Sequence, residues 1–268
     1  MMRKLRSLFI SHGAPTLVID DIPARHFFAQ LGQTMPRPRA IVLISAHNIA
    51  RQTVVGTAAN WQEWHDFGGF PAELYQMQYR PNGDPALAMM IAQGLADLGE
   101  QVAVSDDPAI DHGAWVPLKL IYPNADVPLI TISLSHTMDN AAHWALGEKL
   151  NKLLPDDVLL ITSGSITHNL RDAFSRMQSA VGEYTVEQYA SEFIADSYLA
   201  LNTQGKEFWA DWQNQLRHAR RAHPTPEHFL PLLIARAAAG DAPTVTPLHQ
   251  SIELGVLGMD VIGFNWAV

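Results

Sequence analysis

Three histidines each follow an apolar run that closes in small residues: His12 after SLFIS, His47 after IVLISA, and His168 a short loop beyond VLLITSG. Neutral imidazole is a ligand for zinc, iron, nickel or copper, and its unperturbed pKa of ~6.5 also suits it to proton transfer near neutrality. One histidine so placed is ordinarily a hydrogen-bonded core or loop residue. Three at the same topological position point instead to a metal or catalytic cluster. Further chemistry-bearing residues lie between and beyond them. The stretch Trp61 to Pro71, WQEWHDFGGFP, is too rich in glycine, aromatic and charged residues for a regular element, and such loops often bind ligands. Its His65 reads either as a binding residue or as a hydrogen-bonded spacer in a packed loop. In DHGAW, Asp111 stands beside His112 and could orient it, although adjacent residues need not face each other. In HPTPEH, Glu227 and His228 point roughly 100° apart if helical, so one of the two would face a given metal.

His12, His47 and one of Glu227 or His228 would make a three-ligand site with open positions, the arrangement of a catalytic rather than a structural metal. His168 and His112 are then available as acid and base. His143 lacks a strand-end placement and reads as structural or exposed. No HExxH pattern of a helical zinc protease occurs, no G-x-S-x-G elbow surrounds Ser163 or Ser165, and no glycine-rich phosphate fingerprint follows the first strand.

Positioning these side chains requires buried strands with histidines at their carboxyl ends, where open α/β sheets bind ligands. Apolar runs at 8–10, 41–44, 127–134 and 158–161 read as such strands, with a further one at 53–55 and another at 102–104. Helices are expected at 23–32, at 85–98 with Asp84 as cap and the methionines in the core, and at 116–122. Others are expected at 140–154, 185–201 and 206–221, and one opening at Thr225 and Pro226. Two strands, 252–257 and 259–264, would close the chain. The predicted fold is α/β: a mostly parallel or mixed central sheet flanked by helices, in a single catalytic domain over residues 1–268, with the metal site at the carboxyl ends of the strands.

A net charge of −9 argues against a nucleic-acid surface, and the basic run Arg217 to Arg221 reads as a solvated helix end. The absence of cysteine excludes disulfides, thiolate metal sites and a cysteine nucleophile, and agrees with a reducing compartment. No stretch approaches the ~18 to 20 apolar residues that span a bilayer, and the apolar run after the basic MMRKLR is too short for a signal peptide. A cytoplasmic protein without membrane or nucleic-acid partners is expected; the sequence leaves the oligomeric state open.

SHGAP, ISAHN, HDFGGFP, DHGAW, SITHNL and PTPEHFLPLL together resemble, in order and spacing, the class III extradiol ring-cleaving dioxygenases, in the DOPA-dioxygenase-like branch of the LigB superfamily. The similarity runs from Ser11 to the end of the chain. It implies a non-haem Fe(II) held by His12, His47 and His228. In the wider class the third ligand is a glutamate, which keeps Glu227 beside His228 in play. It also implies His168 as the acid–base residue, close enough to the metal to count as a fourth ligand, and His112 and His65 lining the substrate pocket, His112 sharing in proton return. Zn(II) is known in the family in place of iron. The implied reaction inserts O2 into a catechol such as 3,4-dihydroxyphenylalanine (DOPA), cleaving the 4,5 bond to give a muconic semialdehyde. Lys119, Arg51 or Arg171 could neutralise a substrate carboxylate, and no spacing argument selects one of them. The competing expectation is a zinc-dependent hydrolase or a ligand-binding protein on the same fold.

Overall fold

The computed structural model describes residues 7–179 and 184–266; the basic amino-terminal cluster lies outside them. Six strands form the central sheet: β1 (Ser7–Ser11), β2 (Ala40–Ser45), β3 (Leu129–Thr131), β4 (Val158–Gly164), β5 (Val245–His249) and β6 (Val261–Phe264). Their order is β5-β6-β1-β4-β2-β3. β1, β4, β2 and β3 run parallel, and β6 pairs antiparallel with both β1 and β5. The sheet is therefore mixed, with the parallel block at its centre.

Strand residues alternate between two cores because successive side chains point to opposite faces. Phe9, Val42, Ile44 and Leu160 join one core, while Leu8, Ile10, Ile41, Leu43, Leu159 and Ile161 join the other. Every residue of β1, β2 and β4 is buried. That double burial is why these strands read as unbroken apolar runs.

Helix α1 (Pro23–Thr34) starts with proline at its first position and turns Ala24, Phe28 and Leu31 inward. Helix α2 (Pro85–Asp97) is capped by the Asp84 side chain, which accepts the Leu87 N–H at 3.0 Å. Its inward face is Leu87, Ala88, Ile91, Ala92 and Leu95. Met89 and Met90 point about 130° away from the centre of that face, at ~100° per residue, and are exposed rather than core as expected. Helix α3 (His112–Ile121) begins earlier than expected, so His112 is its first residue. Helix α4 (Asn140–Leu153) is capped by Asp139.

Helix α5 (Leu170–Gln178) follows His168 and is capped by Asn169; α6 (Gln188–Thr203) comes next. The single helix expected over 206–221 is instead three pieces, α7 (Lys206–Ala210), α8 (Trp212–Gln215) and α9 (Ala219–Ala222). Asp211 leaves helical geometry and His218 adopts φ +61, each of which interrupts the ladder. The arginines of the basic run are exposed, with Arg220 and Arg221 in the last turn of α9 as expected, and in addition Arg217 pairs with Asp196 and Arg221 with Asp172, across elements.

The final helix, α10 (Leu230–Ala238), starts later than Thr225 and Pro226 predict. Thr225 donates its hydroxyl to Glu227 instead of capping, and Pro231 falls within the first turn, where its missing N–H costs no helical bond. The run 127–134 also divides. After Thr131 the chain leaves the main sheet, and Leu134–Ser135 pairs with Ile49–Ala50. Of the two closing strands expected, 259–264 forms as β6, whereas 252–257 becomes a short hairpin of Ile252–Glu253 with Leu257–Gly258; β5 is a further strand that the residue pattern does not announce. Among the described residues no helix is long and apolar enough to cross a membrane.

Candidate metal centre

The three adjacent parallel strands β1, β4 and β2 end together, and each delivers a histidine. His12 follows β1 directly, with its N–H donated to the Gly164 carbonyl at 3.0 Å, which extends the β1–β4 ladder by one residue. Gly13, at φ +66, then turns the chain away. His47 follows β2 after Ala46, whose N–H bonds Ser163 O. His228 arrives from the loop before α10 and is tied to the end of β4 by Ser165 N–H to His228 O at 2.9 Å. That loop passes so close to β4 that a Cβ on Gly164 would lie 2.2 Å from the His228 carbonyl oxygen.

These placements bring three imidazoles together. His47 Nε2 lies 3.1 Å from His12 Nε2 and 3.3 Å from His228 Nε2. The far side of two of the rings settles the tautomer. Ser163 Oγ donates its proton to Gly113 O at 2.5 Å, so toward His12 Nδ1, 2.9 Å away, it must accept. His12 therefore carries its proton on Nδ1 and presents a bare Nε2 lone pair. The Gly113 carbonyl is free for this because Pro117, four residues on in α3, has no N–H to bond it. On His228 the carboxylate of Glu227, 3.2 Å from Nδ1, accepts and likewise leaves Nε2 bare. Glu227 thus stands behind His228. Burial costs its charge, but His228, its own backbone N–H and Thr225 together hold its carboxyl down to about 2.

Burial, and then the neighbouring imidazoles, push His12 well below the ordinary histidine value and His47 down to about 3. Three rings aim Nε2 at one point, and lone pairs that meet there uncompensated repel. A cation there converts the repulsion into coordination.

His168 is stacked on His228, with ring centroids 3.5 Å apart and planes 9° from parallel. Its backbone N–H bonds Ala222 O at 2.8 Å, and burial, then His228, lower it to about 3. His112 faces the cluster, its ring centroid 4.1 Å from that of His47. Its orienting partner is Asp66, not the adjacent Asp111: Nδ1 lies 3.0 Å from both Asp66 oxygens. Asp111 accepts the Ser45 hydroxyl at 2.6 Å instead. Asp66 was legible only as the residue after His65 in HDFGGF, and nothing in the residue types alone separated the two.

A cavity of about 1250 Å³ opens over the cluster, lined by His12, His47, His112, His168 and His228 and walled by Phe67 and Phe70. His65 is not in that lining. It lies edge-on to Phe67 and Trp115, behind the wall. His136 is exposed beyond Ser135, and His143 is buried with Nδ1 donating to Asp139 O and Nε2 accepting from Ser135 N–H.

Residues 6–259 match the family model described as the catalytic LigB subunit of aromatic ring-opening dioxygenase. The chain belongs to the LigB family. Among curated members, it is 35% identical over 260 residues to the 4,5-DOPA dioxygenase extradiol of Escherichia coli K12, covering 96% of this chain and 93% of that protein. It is 36% identical over 257 residues to the Beta vulgaris protein of the same name, covering 94% and 93%. The crystal structure of an uncharacterised Escherichia coli K12 protein superimposes with a TM-score of 0.79 at 29% identity, covering 97% of this chain and 99% of that one. This LigB protein is accordingly an extradiol aromatic ring-opening dioxygenase, of the type that includes these DOPA dioxygenases, and its family implies an aromatic substrate, O2 and non-haem Fe(II). The donor set fits that metal: ligand nitrogens of His12, His47 and His228 all lie within 4.8 Å of one another. Of the other groupings at this spacing among the described residues, His47–Asp66–His112 has its carboxylate committed to His112, and His168–Glu227–His228 shares His228 with the first.

Proposed function

We propose that this protein cleaves the ring of a catechol such as DOPA at the 4,5 position, giving a muconic semialdehyde, and that the whole chain forms one catalytic domain acting in the cytoplasm. The reading is carried by the convergence of three Nε2 atoms, from His12, His47 and His228, at the floor of the cavity, two of them with the lone pair bared by Ser163 and Glu227. In it these three residues hold the metal, and Glu227 orients His228 rather than ligating. Bound non-haem Fe(II) supplies the open coordination positions and the redox chemistry toward O2; Zn(II) in the same nitrogens would hold a catechol without turnover.

The chain's own part is to bind, orient and move protons. His168, kept neutral by burial, accepts a phenolic proton from the catechol as it docks. His112, whose Nδ1–H donates to Asp66, offers a bare Nε2 to the same substrate, takes up the second hydroxyl proton there and returns it later. Phe67 and Phe70 exclude water from the ring, and His65 supports Phe67 from behind. Both atoms of O2 enter the product, so no external reductant is required.

Oxygen uptake after anaerobic Fe(II) reconstitution, first with DOPA and then with simpler catechols, tests the reading. Uptake equal to catechol consumed, with a new yellow chromophore, is expected. No uptake with any catechol at confirmed iron occupancy overturns it.

A further inference from the structure

A catechol ring occupies a small part of a cavity of about 1250 Å³, so the remaining walls must select what the ring carries. Those walls contain one Lys or Arg, Arg171, among the described residues. Of the three cations the sequence offered for a substrate carboxylate, Lys119 bonds the Gln78 carbonyl and neither it nor Arg51 lines the cavity. Arg171 alone faces it.

Arg171 also differs from the guanidinium groups around it. Arg176 is committed to Glu187 and to two backbone carbonyls, Arg217 to Asp196 and Arg221 to Asp172. Arg171 has no carboxylate partner among the described residues. It nevertheless stands on a fixed base. The N-cap Asn169 accepts the Asp172 N–H at 3.0 Å and donates to Arg221 O at 2.7 Å, and Arg176 ties the same helix to Leu254, another lining residue. Only Asn169 and Leu170 separate Arg171 from His168, so the charge is delivered next to the reacting end of the cavity.

Beside Arg171, α5 presents Leu170, Phe174 and Met177 to the cavity, at 44%, 55% and 54% exposure. Their spacing of four and three places them on one stripe. An unpaired guanidinium next to an open apolar stripe complements a ligand that is apolar along its length and anionic at its end. The other charged lining residues are carboxylates: Glu227, held by His228, and Asp20 and Glu253, whose charges repel an anion. Arg171 is therefore the one place in the lining that attracts it.

We propose that Arg171 is a specificity-determining residue that holds a carboxylate on the side chain of the catechol, making carboxylated catechols the preferred substrate class. This rests on the ring-cleavage reading, because it takes the catechol to sit over the histidine cluster. A guanidinium meets a carboxylate with two parallel N–H bonds, whereas it gains much less from a neutral amide.

The test is calorimetric binding to Zn(II)-loaded protein, which reports affinity separately from turnover. The probes are 3-(3,4-dihydroxyphenyl)propanoate and the matching propanamide, which differ in charge but hardly in shape. The wild-type protein should bind the acid about tenfold more tightly at low ionic strength, a difference of ~1.4 kcal/mol, and the preference should shrink as salt is added, because Arg171 is exposed. Arg171→Gln should bring the two affinities together, Arg171→Lys should retain part of the preference, and Lys119→Gln should retain all of it. No acid preference in the wild type, or an undiminished one in Arg171→Gln, overturns the assignment while leaving ring cleavage standing. Failure of both probes to bind the wild-type protein overturns both readings together.

Discussion

His112 directs its Nδ1 at the Asp66 carboxylate, 3.0 Å from each oxygen, and the same carboxylate accepts the His112 backbone N–H at 2.9 Å. Burial raises the cost of the Asp66 charge, but these bonds outweigh it and hold the carboxyl below its ordinary value. One anion thus fixes the ring's tautomer and the start of α3. Asp66→Ala should lower kcat about 10- to 100-fold, the range for losing a group that orients an active-site histidine, with metal content unchanged. Asp66→Asn, which keeps an acceptor oxygen, should lose less. Elemental analysis alongside steady-state kinetics checks this, and a loss of metal equal to the loss of kcat would contradict it.

Ser163 determines which nitrogen of His12 is bare. Ser163→Ala leaves the His12 Nδ1 proton without its acceptor and the Gly113 carbonyl without its donor, both in a fully buried setting. The ring then gains nothing from keeping its proton on Nδ1, and the Nε2–H tautomer has no lone pair for a metal. Metal affinity measured by chelator competition should fall about 10- to 100-fold, and stability should fall by about 1–3 kcal/mol from the unpaired groups. An unchanged affinity would show that the Ser163 contact does not set the tautomer.

His12, His47 and His168 were legible because strands buried on both faces announce themselves as apolar runs, and the residue after such a strand has a known place. Asp66 and Ser163 were not, since their importance lies in contacts between segments distant in sequence: Ser163 reads as one more residue of β4 until the Gly113 carbonyl freed by Pro117 is seen beside it. His65 illustrates the reverse error. Its type suits a pocket, but the turn of the HDFGGF loop gives the cavity Phe67 and leaves His65 behind it. The helix expected over 206–221 failed for a related reason. Phe208, Trp212 and Leu216 have helical spacing, yet Asp211 leaves helical geometry and His218 takes a positive φ, breaks that the apolar spacing does not encode.

Asp260 gives the fold a pH dependence of its own. It is buried, which raises its carboxyl to about 6 even though Tyr198 and Gln250 donate to it. Between its ordinary value near ~3.8 and about 6 the native state keeps a proton that the unfolded chain has lost. The associated stabilisation is complete below that window and is lost as pH rises through it, about 2–3 kcal/mol in all. Asp260→Asn removes the titration. Denaturant unfolding at pH 4 and pH 7 should show the Asn variant gaining on the wild type by that amount at the higher pH. A constant difference between the two would rule the buried proton out.

Removing metal from the wild type should lower Tm, and the size of that shift gives a scale for the last variant, Gly164→Ala. A Cβ at this position would meet the His228 carbonyl oxygen at 2.2 Å and Pro231 Cγ at 3.2 Å, and neither is the end of a flexible side chain. Gly164 is the last residue of β4, paired to Ser11 of β1, so the strand is the stiffer partner and the loop before α10 must yield. Yielding moves His228 relative to His12 and His47, whose own backbones are held by Gly164 O and by Ser45 Oγ. The variant should therefore lose part of its metal-free stability, but lose proportionally more of the Tm increment that Fe(II) or Zn(II) provides, since that increment follows the ratio of free metal to Kd. Thermal melts with and without metal separate the two effects. A variant with lowered metal-free Tm and an intact metal increment would mean that the loop absorbs the added methyl without moving His228.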